Sequence, residues 1–182
     1  HLFWGDERPV PPDHFASNFR MAQEALISQV PLPEGQVHRV PAEMDVRMAA
    51  FSYEETLRDF FKRTWPSFDL VLLGMGEDGH TASLFPGQAW PDKPVFAVEG
   101  APKPPPERVT LGVAALQNCR SMLVMVTGES KVAALRQWRA GADLPIARVS
   151  AVEHALVLVE RKCLELADSP SAAASESMGQ EA

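Results

Sequence analysis

The chain has 182 residues, 46% of them hydrophobic, and a formal net charge of −7 at neutral pH. This length and apolar content suit one globular domain with its own core. The negative charge argues against nucleic acid and anionic membrane surfaces as partners, because both require a positive binding surface. No apolar run approaches the ~20 residues that a membrane-spanning helix needs.

The cysteines and histidines do not form a metal-binding or disulfide pattern. Cys119 and Cys163 stand alone, with no CxxC pair, and His80 has no partner at a usual ligand spacing. We therefore expect no metal site and a reducing, cytoplasmic environment. The chain opens on His1-Leu2-Phe3-Trp4 without an initiator Met, so we also expect a fragment that has lost an upstream segment.

Strands and helices alternate in the first part of the chain. Their predicted ranges are residues 2–4 (strand), 17–30 (helix), 36–40 (strand), 46–64 (helix) and 68–73 (strand). Ser17 is placed to cap the first helix, whose expected buried stripe includes Met21 and Leu26. The last of these strands is apolar on both faces, as central strands of parallel sheets are.

The alternation continues after a long loop. Strands are predicted at residues 95–98, 108–111, 121–127 and 155–159, and helices at residues 131–139 and 161–167. Residues 168–182 are rich in Ser, Ala and Glu and predict a disordered tail, which leaves residues 1–167 as a single domain. The order of elements predicts an α/β sandwich with a mostly parallel sheet.

Polar residues follow three of these strands. Asp6 and Arg8 follow the first strand, residues 77–80 follow the strand at residues 68–73, and Lys131 follows the strand at residues 121–127. Ligands of parallel α/β sheets bind beyond the carboxyl ends of the strands, which lie along one edge. We therefore expect one site that collects these residues.

The loop after the strand at residues 68–73 carries glycine, carboxylate and imidazole groups in one short run. Gly76 and Gly79 allow the backbone to approach a ligand closely, which makes them candidate binding residues. His80 is a candidate general base, since imidazole accepts a proton near neutral pH. Asp78 or Glu77 is a candidate to orient it. Alternatively, these acids only favour the N-terminus of a helix that opens near His80.

The spacing Gly74-x-Gly76-x-x-Gly79 also matches the dinucleotide-binding fingerprint. Two carboxylates in the loop oppose a pyrophosphate, and Pro86 interrupts the expected helix within about two turns. A serine nucleophile at an elbow motif is not evident, so direct attack by water is the simpler scheme.

Three cations are candidates to hold an anionic substrate. Lys131 opens a helix after Thr127-Gly128, where a cation and backbone N–H groups together suit a phosphate. Arg8 and Arg108 are the other two candidates. The alternatives are that Arg8 pairs only with Glu7 and that Arg108 and Lys131 face solvent.

Five segments resemble, in chain order, the motifs of 6-phosphogluconolactonases. They are residues 4–8, 17–18, 74–87, 108–111 and 127–131. The similarity extends from about Leu2 to Ala167 and is most specific in the block Gly-Glu-Asp-Gly-His-Thr-Ala-Ser-Leu-Phe-Pro. The related glucosamine-6-phosphate deaminases carry a Gly-His-Ile-Ala-Phe-Asn-Glu-Pro type of block instead.

This resemblance implies a three-layer, Rossmann-like α/β sandwich and hydrolysis of 6-phosphoglucono-δ-lactone to 6-phosphogluconate in the oxidative pentose phosphate pathway. It implies no metal or organic cofactor, His80 as the general base beside Asp78, and substrate contacts from Asp6 and Arg8. Arg8, Lys131 and Arg108 would hold the phosphate. We expect the full-length protein to be a monomer.

The chain departs from the family pattern in two places. Gly112 stands where a hydroxyl residue is usual. The N-terminal strand, helix and Ser-Gly-Gly-x-Thr-Pro phosphate loop do not occur in these residues, so the expected fold lacks its N-terminal βα segment. A sugar-phosphate isomerase or deaminase of the same fold, and a nucleotide-binding module, remain alternatives.

Overall fold

The computed structural model describes residues 1–169. The strands are β1 (Leu2–Phe3), β2 (Asp6–Glu7), β3 (Val37–His38), β4 (Phe68–Gly74), β5 (Val95–Val98), β6 (Arg108–Leu111), β7 (Cys119–Val126) and β8 (Ala155–Val159). The α-helices are α1 (Asn18–Ala25), α2 (Val46–Phe61), α3 (Val113–Gln117), α4 (Val132–Arg139), α5 (Pro145–Val149) and α6 (Arg161–Asp168).

The strands form three sheets. β4, β7 and β8 pair in parallel in the order β4-β7-β8, and β1 pairs in parallel with β3. β2, β6 and β5 form a separate antiparallel sheet, which the sequence did not predict. The alternation of helices with mostly parallel strands confirms the predicted α/β class.

Tyr53 attaches α2 to β1. Its buried hydroxyl accepts a hydrogen bond from the Trp4 backbone N–H at 2.7 Å and donates one to the Trp4 carbonyl oxygen at 3.0 Å. α2 begins at Val46 because the Asp45 carboxylate accepts hydrogen bonds from the N–H groups of the first turn. The helix ends before Lys62, whose φ of 54° is left-handed, and so stops short of the predicted residue 64.

The two faces of β4 differ, contrary to the expectation that both are buried. Val71 and Leu73 are buried, whereas Leu70 and Leu72 are 53% and 57% exposed. Successive side chains of a strand point to opposite faces, so the exposed row continues over the paired strands. Its further members are Met125 on β7 and Leu156 and Leu158 on β8. Within residues 1–169, this apolar face of the sheet has no helix packed over it.

A cleft of about 390 Å³ lies between β1 and β4. Its walls include Leu2 and Phe3 on one side and Leu70 and Leu72 on the other. In the described part of the chain, β1 pairs only with β3 and β4 only with β7. Both strands therefore present an open hydrogen-bonding edge to the cleft.

Several helix predictions were wrong in detail. Ser17 does cap α1 through the Arg20 N–H, but the helix ends at Ala25 and has no buried residue. Met21, expected in its buried stripe, is 64% exposed. α3 and α5 were not predicted, because five residues are too few to show a helical period.

The C-terminal prediction is tested only at its beginning. Asp168 belongs to α6, so the expected tail cannot begin there. Residues 170–182 lie outside the described residues. No helix among residues 1–169 is long and apolar enough to cross a membrane.

Candidate active site

The chain after β4 forms a closed loop of turns. The Gly79 N–H donates to the Gly76 carbonyl at 3.1 Å, and the Gly76 N–H donates to the His80 carbonyl at 2.7 Å. Thr81 and Leu84 then form an isolated antiparallel bridge. The helix expected to open near His80 is absent from this loop, so a helix dipole does not account for its two carboxylates.

Asp78 and His80 form a close pair in this loop. Asp78 Oδ1 lies 2.5 Å from His80 Nδ1 and also accepts the His80 backbone N–H at 3.1 Å. Burial raises the pKa of Asp78, but the hydrogen bonds from the His80 ring and backbone outweigh it and leave that pKa below its ordinary value. An ionised carboxylate only accepts hydrogen bonds, so in the neutral imidazole Nδ1 carries the proton and Nε2 carries the lone pair.

Gly76 and Phe85 fix the position of the imidazole. A Cβ at Gly76 would lie 2.0 Å from His80 Nδ1, so only glycine leaves room for the ring. The buried Phe85 ring packs against the imidazole with a centroid separation of 4.8 Å. Gly79 has a φ of +82° and faces Leu144, so both glycines shape the loop itself.

Asp6 is joined to the His80 loop by Ser83. The buried Ser83 hydroxyl donates to Asp6 Oδ2 at 2.6 Å, while the Asn18 side chain donates to Asp6 Oδ1 at 3.0 Å. The Ser83 N–H is in turn held by Thr110 Oγ1. The Ser83–Asp6 contact was not predicted, since its partners are 77 residues apart in the sequence.

Arg8 is placed by its neighbours but is not paired through its guanidinium with Glu7. The buried Glu7 carboxylate accepts the N–H groups of Arg8, Asn18 and Phe19 and so holds the start of α1. The Arg8 guanidinium donates to the Ala16 carbonyl at 2.7 Å. Its Nε is buried and has no hydrogen-bond partner within residues 1–169, so it retains a donor for a ligand.

Arg108 is engaged by the proline-rich segment 102–106. Its guanidinium is buried and donates to the carbonyl oxygens of Lys103, Pro104 and Pro105 at 3.2, 3.1 and 2.6 Å. Burial, followed by the charge of Arg8, lowers the pKa of Arg108, while the charges of Asp6 and Glu7 oppose this. Arg108 therefore lies near Arg8 and holds the segment in place, rather than presenting a free cation.

Glu77 has a partner that the sequence did not predict. Its carboxylate accepts a hydrogen bond from Lys103 Nζ at 2.8 Å, whereas Asp78 occupies the position beside His80. The hydrogen bond and charge of Lys103, and then the charge of Lys131, lower the pKa of Glu77. The Lys103 contact has no local signal in the sequence, because its partners are 26 residues apart on two loops.

Lys131 ends a single 3₁₀ turn, Glu129–Lys131, before α4. Its backbone N–H donates to the Gly128 carbonyl, and the Gly128 N–H donates to the Glu160 carboxylate at 2.7 Å. The Gly128 N–H, one of the backbone groups expected to hold a phosphate beside Lys131, therefore already has an acceptor in Glu160. Among residues 1–169, no group of three or more His, Cys, Asp or Glu residues is placed to hold a metal ion.

A family model described as glucosamine-6-phosphate isomerases/6-phosphogluconolactonase matches residues 1–158. The chain belongs to this family. A relative named probable 6-phosphogluconolactonase 4, chloroplastic, from Oryza sativa subsp. indica is 39% identical over 149 residues. That match covers 75% of this chain and 46% of the rice protein, so the chain spans about half the length of this relative. The 6-phosphogluconolactonase of Mycobacterium leprae is 38% identical over 175 residues, covering 89% of this chain and 71% of the relative.

Solved structures of family members share the fold. The 6-phosphogluconolactonase of Thermotoga maritima superposes with a TM-score of 0.79 at 34% identity, covering 87% of this chain and 72% of that one. A monomeric glucosamine-6-phosphate deaminase of the NagB superfamily has a TM-score of 0.75 at 20% identity, covering 90% of this chain and 73% of that one, and shows the fold alone. These neighbours confirm the predicted Rossmann-like α/β fold.

Proposed function

We propose that this chain carries the site that hydrolyses 6-phosphoglucono-δ-lactone to 6-phosphogluconate. The observation that carries the proposal is the Asp78–His80 pair, in which a 2.5 Å contact occupies Nδ1 and leaves Nε2 free to accept a proton. The names of the relatives at 38% and 39% identity support this substrate.

In the proposed mechanism, His80 Nε2 accepts a proton from water, and the resulting hydroxide attacks the lactone carbonyl carbon. The tetrahedral intermediate collapses as the bond from that carbon to the ring oxygen breaks. The imidazolium returns its proton to the leaving ring oxygen, which becomes a hydroxyl group, and the new carboxylic acid ionises in water. Asp78 stabilises the imidazolium and holds its orientation.

The phosphate is assigned to local cations, because the chain as a whole is negatively charged. Arg8 offers its buried Nε, and Lys131 lies close enough to Glu77 to lower the pKa of that carboxyl. Charge-assisted hydrogen bonds of this kind are stronger than neutral ones. Asp6, held between Ser83 and Asn18, is proposed to contact the sugar hydroxyl groups.

Turnover of two substrates tests the assignment. The chain should accelerate hydrolysis of 6-phosphoglucono-δ-lactone above the spontaneous rate and leave glucosamine 6-phosphate unchanged. Ammonia release from glucosamine 6-phosphate without lactone hydrolysis would instead assign a deaminase. Stabilisation by NADP in a thermal-shift assay, with neither turnover, would assign a nucleotide-binding module.

We propose a cytoplasmic enzyme, although the rice relative carries a chloroplastic name. We also propose that an upstream βα segment pairs with β1 and β4 across the cleft and covers the row that contains Leu70 and Leu72. The two open edges and the exposed apolar face support this. With that face covered, the protein would be a monomer.

A further inference from the structure

Lys103 lies beside the candidate site and has no role in the mechanism above. It stands in the proline-rich segment 102–106, between β5 and β6. Its Nζ donates to Glu77 Oε1 at 2.8 Å, and the two side chains are 36% and 59% exposed. The ammonium group is therefore at the surface of the Gly76–Gly79 turn and reachable by a ligand.

Arg108 holds the backbone that carries Lys103 in place. The buried Arg108 guanidinium donates to the carbonyl oxygens of Lys103, Pro104 and Pro105. The prolines also fix φ in this segment and remove backbone freedom. The backbone at Lys103 is thus held rigidly beside the loop. On ligand binding, only the methylene chain of Lys103 would lose conformational freedom.

Two lysine ammonium groups act on the Glu77 carboxylate. Lys103 is hydrogen-bonded to this carboxylate, and the charge of Lys131 also reaches it. The charge of the Asp78 carboxylate, one residue later, opposes that of the lysines. Two carboxylates thus face two ammonium groups, and Asp78 already accepts the hydrogen bonds of His80. An exposed ion pair of a lysine and a carboxylate contributes little stability, so exchanging its partner costs little.

We infer that Lys103 is a further phosphate-binding residue, which exchanges Glu77 for the substrate phosphate and sets the preference for phosphorylated over unphosphorylated lactones. A phosphate carries more charge than the Glu77 carboxylate and offers three acceptor oxygens, so it is the stronger partner. The inference rests on the proposed function for the identity of the substrate. It differs from a purely structural role, in which the Lys103–Glu77 contact would only tether two loops.

The test compares Lys103→Ala and Lys103→Arg with the wild-type chain. Two quantities are measured for each: steady-state hydrolysis of 6-phosphoglucono-δ-lactone and of glucono-δ-lactone, and equilibrium binding of 6-phosphogluconate and of gluconate. The matched control is Arg47→Ala, which removes another exposed ion pair, with Glu99, away from the site.

Lys103→Ala should raise the KM and Kd for the phosphorylated compounds by about tenfold, as expected for one charge-assisted contact. Its kcat, and all values for the unphosphorylated compounds, should stay within about twofold of wild type. Lys103→Arg should recover most of the lost affinity. An equal loss for both classes of ligand, or no loss at all, would overturn the inference and leave Lys103 as a tether or a surface residue.

The outcomes separate this inference from the proposed function. If wild type hydrolyses the phosphorylated lactone and Lys103→Ala keeps its affinity, the inference fails and the function stands. If wild type prefers 6-phosphogluconate to gluconate without hydrolysing the lactone, and Lys103→Ala reduces that preference about tenfold, the inference stands and the function fails. A wild-type chain with neither hydrolysis nor preference overturns both.

Discussion

Replacing Gly76 with alanine perturbs the catalytic pair without removing either member. The added Cβ would lie 2.0 Å from His80 Nδ1, 2.1 Å from Cε1 and 2.8 Å from Asp78 Oδ1. Non-bonded heavy atoms ordinarily approach to about 3.5 Å. The imidazole must therefore move by roughly 1.5 Å to regain an ordinary contact, and such a displacement breaks the Asp78 contact.

The size of the effect follows from this displacement. Misplacement of a reacting group by about 1 Å costs on the order of 10²-fold in rate. We expect Gly76→Ala to lower kcat by about 10²-fold or more, up to the 10²–10⁴-fold that loss of a general base costs. The KM should change by no more than a few-fold, because Arg8 and Lys131 lie on other segments.

The assay is acid release from the lactone at constant pH, with the spontaneous rate subtracted. Gly74→Ala is the matched control, since a Cβ at that glycine meets nothing within 4 Å, and it should keep wild-type activity. Circular dichroism shows whether each variant is folded. A folded Gly76→Ala chain with more than half of the wild-type kcat would refute the role assigned to the imidazole position.

Four other substitutions test the phosphate site, the α2 anchor and the open sheet face. Arg8→Ala or Lys131→Ala should each weaken 6-phosphogluconate binding by about 10- to 100-fold, the equivalent of a charge-assisted hydrogen bond, in a calorimetric titration. Tyr53→Phe leaves the buried Trp4 N–H and carbonyl without their partner, so the free energy of unfolding in urea should fall by about 1–3 kcal/mol. Leu72→Asp places a charge on the exposed apolar face and should reduce self-association of the 182-residue chain in sedimentation velocity.

Each of these expectations has a contrary result. Unchanged affinity after either cation is removed would mean that this residue is a solvent-exposed side chain that does not bind the phosphate. Equal urea stability of Tyr53→Phe and wild type would mean that the Trp4 groups find other partners. A wild-type chain that sediments as a monomer, with no change on Leu72→Asp, would show that the exposed apolar face of the sheet does not cause self-association.

The sequence predicted those parts of the fold that depend on local pattern. β5, β6 and β8 lie where their apolar runs indicated, and Ser17 caps α1 as its position suggested. The exposed side of β4 was mispredicted, because an apolar run specifies a buried strand but not which residues cover it. The absence of buried residues in α1 has the same origin, since a helical stripe does not reveal its packing partner.

The sequence predicted which residues belong to the candidate site better than it predicted the contacts between them. The proximity of Asp78 and His80 follows from their spacing in a glycine loop, and the structure places them in direct contact. The Lys103–Glu77 pair and the burial of Arg108 depend on how the proline-rich segment folds over the loop. Such long-range pairings have no local signal in one sequence.

The most direct test of the account is the rate of 6-phosphoglucono-δ-lactone hydrolysis by His80→Ala beside wild type. The control is Asp69→Asn, because Asp69 is an exposed residue of β4, the strand that precedes the His80 loop. We expect a kcat for His80→Ala that is about 10²–10⁴-fold below wild type, with KM within a few-fold, after subtraction of the spontaneous reaction. A folded His80→Ala chain with a wild-type kcat would contradict the assignment of His80 as the general base.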